Sequence, residues 1–139
     1  VVNAVLNQKY QAASDLGIVL SITVNDLSDL SMNEEEIVSL LGNLLDNALE
    51  ACMRLNQDLA KIIQFKMVLE EDQLVLSTRN PLPEPVRIRN NHILTRKSNA
   101  PMHGIGLLNV DSVIRSHDGV SVIKCEEGWF CFSAVIPRI

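Results

Sequence analysis

The run from Gly42 to Cys52, GNLLDNALEAC, sets the tightest limit on what this chain can fold into. Leu40, Leu41, Leu44, Leu45, Ala48 and Leu49 recur at the spacing of a helix that packs on most of its circumference. Two amides interrupt it: Asn43 and Asn47 stand four apart, and Glu50 follows three later. At about 100° per residue these side chains fall within about 60° of one another on one face. Burying an unpaired amide costs on the order of 1–3 kcal/mol. A polar stripe of this kind therefore needs internal partners or something polar bound against it. Asp46 and Glu50 read as supporting or surface groups.

A second pattern lies some sixty residues on. His103-Gly-Ile-Gly-Leu107 leads into an amphipathic helix over Ile105 to Ser116, and its glycines leave backbone amides free to point at an anion. A Gly-x-Gly ahead of a helix is weak evidence alone. Paired with a buried Asn-x-x-x-Asn helix it is specific.

Between and around these patterns the elements alternate. Val2, Val5, Leu6, Lys9, Tyr10 and Ala13 have helical spacing, and Gly17 supplies a C-cap. Ile18 to Val24 reads as a strand. Asn33 with Glu36 fits a capping box, and the helix that it opens runs to about Leu55. Lys61 to Glu70 and Gln73 to Arg79 are two strands around an acidic turn. Asn80 to Met102 is proline-rich and glycine-free, longer than an ordinary connection. Gly119 ends the next helix, and Val120 to Cys125 with Trp129 to Ile136 form a closing hairpin. Strands that come largely in hairpins, with helices gathered on one face, predict a two-layer α/β sandwich with a mixed sheet of about five strands.

At 139 residues the chain is one domain with enough apolar content for a core. A net charge of −5, from 12 basic and 17 acidic side chains, argues against a nucleic-acid partner. No apolar run approaches the ~20 residues that cross a bilayer, and no signal peptide is visible. Cys52, Cys125 and Cys131 sit in apolar runs without metal-ligand spacing, which predicts reduced core thiols. The helical pattern at Val1 starts abruptly, as a piece of something longer would.

The two motifs together resemble the GHKL ATPase superfamily, which includes gyrase, mismatch-repair ATPases, heat-shock chaperones and sensor histidine kinases. GNLLDNALEAC is similar to the N box of the histidine kinases, and HGIGLLNVDSVIRSHDG to their G2 box and the helix after it. Thr95-Arg-Lys-Ser98 resembles the lid element of the peptide-pheromone-receptor subgroup. The likeness runs over almost the whole chain and implies the Bergerat fold of that family. It also implies residues 1–16 as the end of a dimerisation helix and 17–139 as an ATP-binding catalytic domain.

From this resemblance come the site residues. Asn47 matches the residue that holds Mg²⁺ against the phosphates, a task suited to a hard oxygen ligand. Asn43 stands where hydrolysing members carry a glutamate, and an amide cannot act as a base, which favours phosphoryl transfer over hydrolysis. Lys97, with Arg96 as its substitute, would reach the terminal phosphate from the lid. Gly104, Gly106 and Leu107 would line the phosphates, and His103 is either a phosphate donor or a surface residue. Asn80 replaces the aspartate that accepts from the adenine amino group, and Asn80-Pro-Leu-Pro-Glu84 lacks the glycines that usually follow. A neutral acceptor makes the weaker bond.

The implied function is binding Mg·ATP and supplying the γ-phosphate for autophosphorylation of a histidine on an upstream dimerisation domain, which this chain lacks. The implied partners are ATP, that domain and its homodimer, and a response regulator. The implied setting is the cytoplasmic part of a membrane-anchored bacterial sensor. Two alternatives stay open: a GHKL interaction module that has lost nucleotide binding, and an anti-sigma-factor-like serine kinase.

Overall fold

Hydrophobic alternation on the strands and a three-to-four-residue repeat on the helices put the described helices against one face of a five-stranded mixed sheet. The computed structural model describes residues 1–56, 59–82, 87–89, 92–94 and 101–138. Along the chain come α1 (Val2–Asp15), β1 (Val19–Val24), α2 (Glu34–Met53), β2 (Ile62–Leu69) and β3 (Gln73–Pro81). These are followed by β4 (Arg87–Arg89), β5 (His92–Leu94), α3 (Pro101–Ser116), β6 (Val120–Glu126) and β7 (Trp129–Pro137). Five strands form one sheet in the order β1-β2-β3-β7-β6. β1 and β2 run parallel, with α2 as their crossover, and every other pairing in this sheet is antiparallel. The expected two-layer sandwich is therefore present.

β3 alternates inward Leu74 and Leu76 with outward neighbours, and β7 does the same with Phe130, Phe132, Ala134 and Ile136. Above them α2 buries Ile37, Leu40, Leu41, Leu44, Leu45, Ala48, Leu49 and Cys52. Each such leucine contributes roughly 1.5–3 kcal/mol relative to exposure. α1 and α3 flank α2 on either side. Val5, Leu6 and Ala13 of α1 join the same core as Val110 and Ile114 of α3.

The ends of the helices are specified locally. α1 closes in a Schellman turn, with Gly17 N–H donating to Ser14 and Ile18 N–H to Ala13, and Gly17 at φ 72°. α3 ends before Gly119, as expected. Asp118 takes the left-handed conformation, at φ 61°. Gly119 N–H bonds to Ile114 O at 2.9 Å, and a Cβ on Gly119 would lie 2.8 Å from Ile114 Cγ2. Glycine is needed there for space. The β6–β7 hairpin turns through Glu127 and Gly128, both with positive φ, as a two-residue type I′ turn requires.

The proline-rich connection differs from the plain loop expected. Arg87–Arg89 and His92–Leu94 pair as a small antiparallel ladder of their own. Of the thiols, Cys52 is buried and its pKa is pushed up to about 11 by that burial. Cys125 and Cys131 are free but only half-buried, so they are less enclosed than core thiols would be.

α2 begins with the expected capping box: Asn33 Oδ1 accepts from Glu36 N–H at 2.8 Å, and Glu36 accepts from Asn33 N–H at 3.3 Å. The other Glu36 oxygen is 2.8 Å from His117 Nε2, just beyond the end of α3. The His117 bond, opposed by partial burial and helped by Asn33, holds the Glu36 carboxyl below the ordinary glutamate value. A depressed folded-state pKa stabilises above the unfolded value, and that contribution is lost as pH falls through the folded one. Stability should therefore fall as pH drops below about 4.5, and Glu36→Gln should flatten that part of the profile. Urea melts between about pH 6 and 3 check this; parallel profiles for the two proteins would contradict it.

Candidate functional site

The polar face of α2 forms one wall of the site. Ser39, Asn43, Asn47 and Glu50 succeed one another at four- and three-residue steps, and each is half-buried. They are thus less enclosed than the apolar context of the sequence suggests. Asn43 Nδ2 donates to Ser39 Oγ at 3.3 Å. Ser39 was not among the residues expected from sequence, although its i,i+4 relation to Asn43 was there to be read. Asn47 and Glu50 are both engaged in interactions of their own. Asp46, at the edge of this face, is exposed and pairs with Lys9 of α1 at 2.6 Å.

α3 supplies the facing wall. It begins at Pro101, four residues before the expected start, so Gly104 and Gly106 lie within the helix. Proline suits that position because it brings no N–H to leave unsatisfied. The backbone donors without a helical acceptor are therefore those of Met102 and His103, and the Gly106 N–H belongs to the helical ladder. What Gly106 provides is proximity. A Cβ built on it would lie 3.8 Å from Asn43 Oδ1, in ordinary contact, with no hydrocarbon between the two segments. Leu107 is 5% exposed and belongs to the core. His103 lies in the first turn of α3. Lys97, Arg96 and the rest of Thr95-Arg-Lys-Ser98 lie outside the described residues.

The third component is the end of β3. Its inward face changes from Leu74 and Leu76 to Thr78 and Asn80, which are 3% and 1% exposed. Thr78 sits in register between Phe65 and Phe132, and Asn80 beside Phe130. Asn80 Nδ2 donates to Pro81 O at 3.2 Å, which fixes the amide with Oδ1 as its remaining acceptor. Among the described residues nothing donates to that oxygen. A buried acceptor without a donor costs on the order of 1–3 kcal/mol, so the site is chemically suited to a ligand bearing an N–H group.

This chain is similar to known proteins in both sequence and fold. Residues 32–137 match the family model of the GHKL domain. The chain is 32% identical to the sensor histidine kinase DpiB of Escherichia coli (strain K12), over 94% of its own length. It spans a quarter of the length of that relative. Among solved structures it resembles the catalytic domain of histidine kinase ThkA in a nucleotide-free form, with a TM-score of 0.70 at 19% identity. That match covers 97% of this chain and 90% of the other. It also resembles the Acinetobacter baumannii histidine kinase AdeS, with a TM-score of 0.64 at 16% identity over 97% of this chain and 64% of that one. The matched span contains the polar face of α2, the end of β3 and the glycines of α3, and on these grounds the chain belongs to the GHKL domain family.

Proposed function

We propose that the chain binds Mg·ATP between α2 and α3 and presents the γ-phosphate to a histidine on an upstream dimerisation domain. The observation that carries this reading is the contact of Asn43 with Gly106, which brings the amide stripe and the glycine segment to one cleft. Asn47 would hold the Mg²⁺, whose chemistry when bound is to neutralise phosphate charge. Asn80 Oδ1 would accept from the adenine amino group. The N-terminus of α3, with the His103 N–H, would face the phosphates, and Lys97 would reach the terminal one. Asn43 offers no base to activate water, which favours transfer to another acceptor, and such transfer depends chiefly on positioning.

In this reading residues 1–16 are the end of the dimerisation helix and 17–139 the catalytic domain. The partners are a homodimer through that helix and a response regulator, in the cytoplasmic part of a membrane-anchored sensor. An amide-shift titration with Mg·ATP tests it. Shifts should concentrate on the Asn43–Glu50 face, the first turns of α3 and the end of β3. Because the base meets a neutral amide instead of a carboxylate, Kd should be about 0.1 mM or weaker, roughly −5.5 kcal/mol. No shift at millimolar nucleotide would favour an interaction module with the fold alone, and nanomolar affinity would overturn the account of Asn80.

A further inference from the structure

A residue outside the span of the family model reaches the edge of the polar face of α2. Lys9, on α1, places Nζ 2.6 Å from Asp46 Oδ1. Its side chain is only 17% exposed, whereas that of Asp46 is 54% exposed. Val5, Leu6 and Ala13 anchor α1 in the common core on either side of Lys9, so the ammonium group is held in place. Asp46 is three residues from Asn43, which makes the two neighbours on the helix surface with Cβ atoms about 5–6 Å apart. It also directly precedes Asn47. A carboxylate is thus built into the rim of the face assigned above to a polyphosphate, and its partner comes from a separate helix.

Resting on that nucleotide reading, we propose that Lys9 is a positioning residue that acts through Asp46, neutralising a carboxylate that would otherwise repel the phosphates of the bound nucleotide. An unpaired charge at the rim of a half-buried site acts on a polyanion over several ångströms, and more strongly at low salt. As a tether between helices the pair would matter little, because ion pairs with an exposed member contribute little to stability. Its electrostatic effect should therefore scale with ligand charge, and its structural effect should not.

The test measures affinities of this chain for Mg·ATP, Mg·ADP and adenosine by amide-shift titration, at low salt and at high salt. Lys9→Met should weaken Mg·ATP about fivefold at low salt and Mg·ADP less, and leave adenosine unchanged, with the loss shrinking at high salt. Lys9→Arg should retain wild-type affinity, and the double variant Lys9→Met/Asp46→Asn should recover it. Equal weakening of all three ligands would reduce the pair to a tether and overturn the proposal, as would no weakening at all. Failure of the double variant to recover would overturn it in favour of direct contact between lysine and phosphate. Wild-type protein that binds none of the three would remove the nucleotide reading and this inference together, whereas the other outcomes bear on Lys9 alone.

Discussion

Asn47→Ala should lower the affinity for Mg·ATP by at least ~10-fold while leaving the fold intact. Removal of a group that merely supports a metal ligand typically costs 10–100-fold in affinity, and a ligand itself should cost no less. The amide is half-buried on the polar face of α2, away from the leucines that pack on the sheet, and its loss removes an interaction of its own but no core packing. Alanine is also the better helix former. The melting temperature should therefore stay within a few degrees of wild type, so that lost binding cannot be mistaken for lost structure. Calorimetric titration with Mg·ATP, repeated with ATP in chelator, is the measurement. In a longer protein carrying the acceptor histidine, autophosphorylation should fall in parallel; a wild-type rate there would remove Asn47 from the metal.

Gly119→Ala should be among the most damaging single-methyl additions in the chain. The new Cβ would lie 2.8 Å from Ile114 Cγ2, 2.9 Å from Ile136 Cγ1 and 2.9 Å from the Val135 carbonyl oxygen. One of these is backbone of β7 and cannot rotate away, so the connection between α3 and β6 must move off β7. Overpacking of this kind costs typically 1–3 kcal/mol, and the backbone contact places this case near about 3. For a domain of this size that corresponds to a melting temperature lower by roughly 10 °C. Gly17→Ala is the informative comparison, since the space around Gly17 is open and only its φ of 72° opposes a side chain. Its cost should be about 1 kcal/mol. Thermal melts of both variants check the order; equal destabilisation would mean that steric closure at Gly119 is not what selects glycine.

The contrast between these two glycines also shows where sequence reading reached and where it stopped. Near Gly17 the signal is local, because a left-handed residue follows the helix it ends, and the C-cap could be read from spacing alone. At Gly119 the sequence marks the end of the helix but not the reason for glycine, which lies partly on β7, sixteen and seventeen positions away in sequence. The N-terminus of α3 was misplaced for a related reason. Two glycines in three residues look like a break, yet helix continues through both, and Gly106 meets Asn43, a partner that no local window contains. By contrast the capping box at Asn33, the apolar repeat of α2 and the β6–β7 turn are all short-range, and each stands where expected. The β4–β5 ladder was invisible because three-residue strands carry too few alternations to register as a period. Of the candidate site, Asn43, Asn80 and Gly106 were legible as residue types in motifs. The bond of the Asn80 amide to the Pro81 carbonyl and the reach of Lys9 to Asp46 depend on packing, which spacing does not encode.

The Glu36–His117 bond has a mechanical consequence for the cleft. It ties the beginning of α2 to the end of α3, so the two antiparallel helices are joined at one extremity, like the legs of a pair of tongs. Toward the start of α3, Gly106 offers Asn43 no side chain to interlock with. The spacing of the two helices is thus set by a side-chain bond at one end and by bare backbone at the other.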